Sequence, residues 1–254
     1  GDGGGGAAAV AAYGPLLSAP GDDDAGASAA AVHRWVLRGA AGAVIYGLAL
    51  LALGGGLAAH AAGQRFSFAA EFLASLVMAL SQAAVARAAF MVHVRLSPAA
   101  RGVAGRWVWA MALAKLCMAG TAFAGTLVFA TLADEDYENV CFAEYLFRWS
   151  LLLALPLQCV AGTALWRLQA GLTRYVGGAS HFGGLAALLA LGSFVSGTGM
   201  WWAGYWDAVH RVGPPVAAGL AAAAAGQLAW GLALLALDRR VRRRFAAPAG
   251  GARG

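Results

Sequence analysis

GAAGAVIYGLALLALGGGLAAHA, residues 39–61, decides what kind of protein this is. It carries no Asp, Glu, Lys or Arg and is long enough for one helix to cross a hydrocarbon core, which needs roughly 20 apolar residues. His33, Arg34, Trp35 and Arg38 stand immediately before it, as charged and aromatic residues do at a membrane surface. Five more stretches of the same kind follow, at about Phe68–Met91, Trp107–Leu132, Phe142–Leu165, Gly183–Tyr205 and Val216–Leu237. Turn residues separate several of them: Ser97-Pro98, Gly177-Gly178 and Gly213-Pro214-Pro215. The expected fold is all-α, a polytopic membrane bundle of about six transmembrane helices.

Composition agrees. Of 254 residues, 61% are hydrophobic and 12% charged, where a soluble domain carries about 25% charged residues. The net charge of +6 comes from 18 Lys and Arg, of which only Lys115 is a lysine. In a soluble chain such a charge would suggest nucleic acid; here it follows the membrane rule that basic residues collect in cytoplasmic loops. With both termini cytoplasmic, Arg34, Arg38, Arg95, Arg101, Arg106, Arg167, Arg174, Arg239, Arg240, Arg242, Arg243 and Arg244 fall on the inner side. Only Arg65 and Arg211 fall in the outer loops, beside the acidic run Asp134, Glu135, Asp136 and Glu138. Trp35, Trp107 and Trp166 mark inner helix ends, and Trp201, Trp202, Tyr205 and Trp206 an outer one.

Three regions are expected: a disordered cytoplasmic tail over 1–31, the six-helix domain over 32–238, and a basic disordered cytoplasmic tail over 239–254. The first is Gly, Ala, Asp and Ser with too little apolar surface for a core. It has neither the basic n-region nor the apolar h-region of a signal peptide, and Gly5 stands where N-myristoylation needs Ser or Thr. Tyr13-Gly14-Pro15-Leu16 fits a tyrosine-x-x-apolar sorting pattern, which four residues can match by accident. Arg239, Arg240, Arg242, Arg243 and Arg244 directly follow the last span and should hold to anionic lipid headgroups, at ~1 kcal/mol each.

Polar residues inside spans are costly and therefore informative. Glu71, Ser75, Met78 and Gln82 recur at helical spacing and share one stripe of the second span. Lys115 lies deep in the third span, whereas Arg87 is near enough to a span end to snorkel. Glu144 and Arg148 are four residues apart and can pair on one helix face; with Glu71, Asp207 and His210 they suggest a charged outer vestibule. Pro156 lacks an amide hydrogen and predicts a kink in the fourth span. Small residues at Gly39, Ala43, Gly47, Gly192, Ser196, Ala222 and Gly226 have the spacing of close helix packing.

Catalytic and cofactor chemistry find no support. His181 with Gly184 resembles the His-x-x-Gly turn of rhomboid intramembrane proteases, but their Gly-x-Ser-Gly nucleophile is missing upstream. The five histidines lie near span ends, where they cannot bracket a haem between helices. Cys117, Cys141 and Cys159 form no paired metal-ligand spacing. The expectation is a non-catalytic protein without cofactor or metal and without nucleic acid, in a plasma or internal membrane. Its partners would be the bilayer, anionic headgroups, and copies of itself or other proteins, and it would act in membrane assembly or trafficking. The alternative is a small-solute or ion transporter with a polar path along the second, third and fourth spans.

Overall fold

In lipid, a backbone amide has no water to bond, so each apolar stretch must satisfy its own hydrogen bonds as a helix. The computed structural model describes residues 25–62, 68–98, 101–132, 137–176, 183–208 and 213–246, and these are helical almost throughout. The helices are α1 (Ala25–Ala61), α2 (Phe68–Arg95), α3 (Arg106–Leu132), α4 (Tyr137–Val176), α5 (Gly183–Ala208) and α6 (Pro214–Ala246). A π-helical turn, Arg101–Gly105, leads into α3. Each helix contains an apolar segment of 19 to 30 residues, long enough to cross a membrane. The protein is thus a helical bundle with six candidate spans, as a multi-pass membrane protein requires.

Each helix packs mainly against its neighbours in the chain, and α6 returns to α1, so the six close into a ring. The outward faces carry Ile45, Leu48, Leu80, Leu113, Leu116, Leu191, Phe194 and Leu232, all exposed. An apolar exterior is the surface that lipid tails solvate and water does not.

Inside the ring, apolar side chains form layers. One layer takes Tyr46 and Leu50 from α1, Met78 from α2, Met118 from α3, Leu151 and Ala154 from α4, Met200 from α5, and Leu220 and Ala224 from α6. A second takes Ala43, Val85, Leu165, Leu189, Trp230 and Ala233, with Met111 against it. A third, smaller group (Ala89, Leu96, Ala104, Val108, Ala112) packs the α2–α3 junction.

Two boundaries differ from the expectation. α1 begins at Ala25, so Ala25–Ala31 belong to the first helix and not to a disordered tail. α6 runs to Ala246, which makes the Arg239–Arg244 run helical. In both places the helix extends past the apolar span through residues of good helix propensity, Ala at one end and Arg at the other. The rest of the expected tails, the sorting pattern at Tyr13 and the turn at His181 lie outside the described residues. α4 is one continuous helix through Pro156, which sits on its exposed face.

Glycine and arginine shape the helix ends. Gly213 has φ 140°, a conformation open to glycine alone at low cost, and its carbonyl accepts from the Ala217 amide at 3.1 Å. Pro214 follows at the first helical position, where its missing amide hydrogen costs nothing. At the α2 C-terminus, Arg101 donates to the carbonyls of Val94 (2.9 Å) and Leu96 (3.1 Å), satisfying groups the helix leaves open.

Candidate functional site

Between the two large apolar layers lies a slab of polar side chains. The sequence order of each helix defines it. On α2, Gln82 falls between Met78 of one layer and Val85 of the other; on α3, Lys115 falls between Met118 and Met111. On α4, Gln158 falls between Ala154 and Leu165, on α5 Ser193 and Ser196 between Leu189 and Met200, and on α6 Gln227 between Ala224 and Trp230. From α1, Tyr46 borders the slab with a hydroxyl that donates to Met200 Sδ at 3.1 Å. Every helix of the ring therefore adds a polar group at this level.

The level lies well inside the bundle. Within the described part of each apolar segment, Lys115 is nine residues from either end of Arg106–Ala124, and Gln158 ten from either end of Arg148–Leu168. Gln227 is thirteen from either end of Pro214–Arg240. All of them are buried: Lys115, Gln158, Ser193 and Ser196 are 0% exposed, Gln82 and Gln227 1%.

The bonds within the slab are specific. Lys115 Nζ donates to Gln158 Oε1 at 2.9 Å and lies 5.4 Å from the centre of the Trp230 ring, within cation–π range. Lysine has only donors, so Gln158 must turn its oxygen toward Lys115 and its NH2 away. Gln227 Nε2 donates to Ser196 Oγ at 2.9 Å. Other groups stay open: Gln82 Nε2 and Oε1, Gln158 Nε2, Ser193 Oγ and Trp230 Nε1 are buried without a hydrogen-bond partner in the protein. Each such group costs ~1–3 kcal/mol when left unsatisfied, so several in one slab demand a reason.

The ring has, near each end, a polar pair that involves a carboxylate. His33 Nδ1 meets Asp238 Oδ1 at 2.9 Å, joining α1 to α6 where the two chain ends emerge. At the opposite end Arg148 Nε donates to Asp207 Oδ2 at 2.9 Å, joining α4 to α5. Beside Asp207, Trp201, Trp202, Tyr205 and Trp206 form a stacked and edge-on cluster with ring centres 5.7 Å apart.

The expected site residues meet this geometry unevenly. Ser75, Met78 and Gln82 all point inward, as the stripe on α2 predicts. Lys115 pairs inside the bundle. Arg148 pairs across to α5; the side chains of Glu71 and Glu144 lie outside those described. Arg87 is exposed, 5.5 Å from the Trp35 ring that Arg38 also approaches at 4.6 Å. Arg239 and Arg240 are exposed; the side chains of Arg242, Arg243 and Arg244 are outside those described. Gln158, Gln227, Ser193 and Asp238 carry no weight in the sequence reading. A rule that flags every midspan amide would have found the first two. Among the described residues, no group of His, Cys, Asp and Glu is placed to hold a metal ion. Cys117 and Cys159 are free thiols.

Comparisons with protein families, characterised proteins and solved structures find no match to this chain.

Proposed function

We propose that this is a multi-pass membrane protein, with both termini cytoplasmic, that passes a small polar solute through the centre of its helical ring. One observation carries the reading: a buried polar slab at midspan, fed by all six helices, with hydrogen-bonding groups that the protein does not satisfy. A purely structural polar layer would be expected to close its own bonds, since an open group in lipid costs several kcal/mol. The path widens the one expected along the second to fourth spans, because α5 and α6 contribute Ser193, Ser196 and Gln227. The orientation rests on the Arg asymmetry of the loops. The reading takes the slab's lysine, amides and hydroxyls as solute-binding groups, in keeping with their described bonds to one another.

A second reading has its own support. The apolar layers on both sides of the slab fit a sealed bundle that acts in membrane assembly with lipid or protein partners. In that case the Lys115–Gln158 bond only fixes helix register.

Water access decides between them. With Cys117, Cys141 and Cys159 replaced, single cysteines at 78, 82, 115 and 158 are exposed to a small membrane-impermeant thiol reagent, with 148 as the end-of-bundle reference. Labelling at 82, 115 or 158 supports the path. Labelling confined to 148 overturns it in favour of the sealed bundle.

A further inference from the structure

The open groups of the slab are mostly donors, and they point to what it would take. Lys115 spends one N–H on Gln158 and keeps two. Gln158 has its oxygen engaged and its NH2 open, Trp230 has its indole N–H open, and Ser193 has its hydroxyl open. Against these donors, Gln82 Oε1 is the one carbonyl oxygen among the slab's fully buried, unbonded side-chain atoms. The charge has the same sense. Lys115 is the one basic side chain among the described residues of the slab, and its described contacts are neutral: an amide oxygen and the face of an indole. The nearest described carboxylates by layer, Asp207 and Asp238, lie at opposite ends of the ring and are bonded to Arg148 and His33.

A cation would meet the Lys115 side chain, and a sugar needs donors and acceptors in similar number, whereas the open donors of the slab outnumber its open acceptors. An anion needs donors and a neutralising charge in a low-dielectric surrounding, where both gain strength. We infer that the slab is a binding site for a compact monovalent anion, held by Lys115 Nζ, Gln158 Nε2, Trp230 Nε1 and Ser193 Oγ. The inference rests on the solute path proposed above and names its substrate class. Compactness is inferred from burial: Lys115, Gln158 and Ser193 are 0% exposed, and the stems of Gln158 and Ser193 pack closely on Gly197 and Gly162 of the neighbouring helices.

The test uses the full chain, in detergent and in proteoliposomes, with chloride and nitrate as probes and gluconate at equal ionic strength as reference. The expected result is a saturable rise of Tm with chloride or nitrate, and uptake of radiolabelled chloride above that of protein-free vesicles. Lys115→Met should weaken the half-saturation about tenfold, the loss of one charge-assisted hydrogen bond. Trp230→Phe, which keeps the ring and removes the N–H, should weaken it less. Arg87→Gln removes an exposed cation outside the slab and should leave it unchanged. Lys115→Gln is measured in parallel, so that a folding failure of the methionine variant leaves the comparison intact. A Tm that ignores the anion, or responds equally in the Lys115 variants, overturns the anion site. Uptake of sodium or glycerol without anion dependence overturns it too, while keeping the solute path. Anion-dependent Tm without chloride uptake does the reverse: the site stands and the path falls.

Discussion

Gly192 and Gly226 face each other across the α5–α6 contact at backbone distance. A β-carbon on Gly226 would stand 2.5 Å from the Gly192 carbonyl oxygen, and one on Gly192 would stand 2.7 Å from that of Gly226. Two turns along, Gly199 and Gly219 repeat the arrangement at the same 2.5 and 2.7 Å. Only glycine permits this approach, which brings Cα–H groups onto facing carbonyls. It also sets the slab, because Gly226 precedes Gln227 and lies against the backbone of Ser196, to which Gln227 donates.

Gly226→Ala and Gly199→Ala should therefore push α5 from α6, because backbone atoms cannot turn aside as a side chain can. Overpacking of this sort costs ~1–3 kcal/mol. Gly120→Ala is the internal control: nothing lies within 4 Å of its added β-carbon. There the gain in helix propensity should leave stability equal or slightly raised. Thermal unfolding in detergent, followed by tryptophan fluorescence, reads all three. Equal Tm for Gly226→Ala and Gly120→Ala would show that the helices are not in backbone contact.

Six spans are legible in the sequence because length and apolarity alone define them. The inward stripe of Ser75, Met78 and Gln82 is legible because a polar residue breaks an otherwise apolar helix at a fixed period. What stays hidden is which face of the Ala- and Gly-rich helices turns inward. Such helices are apolar all round, so periodicity marks no face. Gln158 and Gln227 are then amides without a direction, and Asp238 closes the last span with no local sign of a partner. Their partners lie far off in sequence: 43 residues for Lys115 and Gln158, 31 for Gln227 and Ser196, 205 for His33 and Asp238. Nothing local encodes those pairs. The small-residue pattern is mostly legible: Gly39, Ala43, Gly47, Gly192, Ser196 and Gly226 are buried, whereas Ala222 is exposed.

Arg148 and Asp207 tie α4 to α5 at one end of the ring, with 18% and 25% of their side chains exposed. Arg148→Gln and Asp207→Asn should each lower Tm, and the double variant should lose less than the sum. Interhelical polar pairs in membranes couple by roughly 0.6 kcal/mol and reach about 1.7, so a double-mutant cycle should return a coupling of about 1 kcal/mol. Strict additivity of the two losses would mean the pair is not formed in the membrane.

Gly213 governs how the chain enters α6. At φ 140° an alanine is strained, at a cost of roughly 1–2 kcal/mol. Gly213→Ala should lower Tm without changing helix content by circular dichroism, since Pro214 still starts the helix. Gly184→Ala, in open space near the start of α5, should not lower it. A neutral Gly213→Ala would show that the turn adopts another conformation in the bilayer.

The bond between His33 and Asp238 fixes one more property, the side on which the chain ends emerge. Because the first and last helices meet there, residues 34 and 240 share a face of the membrane, and the aromatic cluster of Trp201, Trp202 and Tyr205 lies at the opposite end of the ring. Arg34, Arg38, Arg239 and Arg240 are all exposed at the shared end, and by the positive-inside rule we propose that this end is cytoplasmic. In a background without native cysteines, single cysteines at 34 and 240 should react with an impermeant thiol reagent only after the membrane is opened. One at 205 should react in sealed cells. Opposite labelling of 34 and 240 would break the ring topology itself. Joint labelling of both from outside would keep the ring and invert it in the membrane.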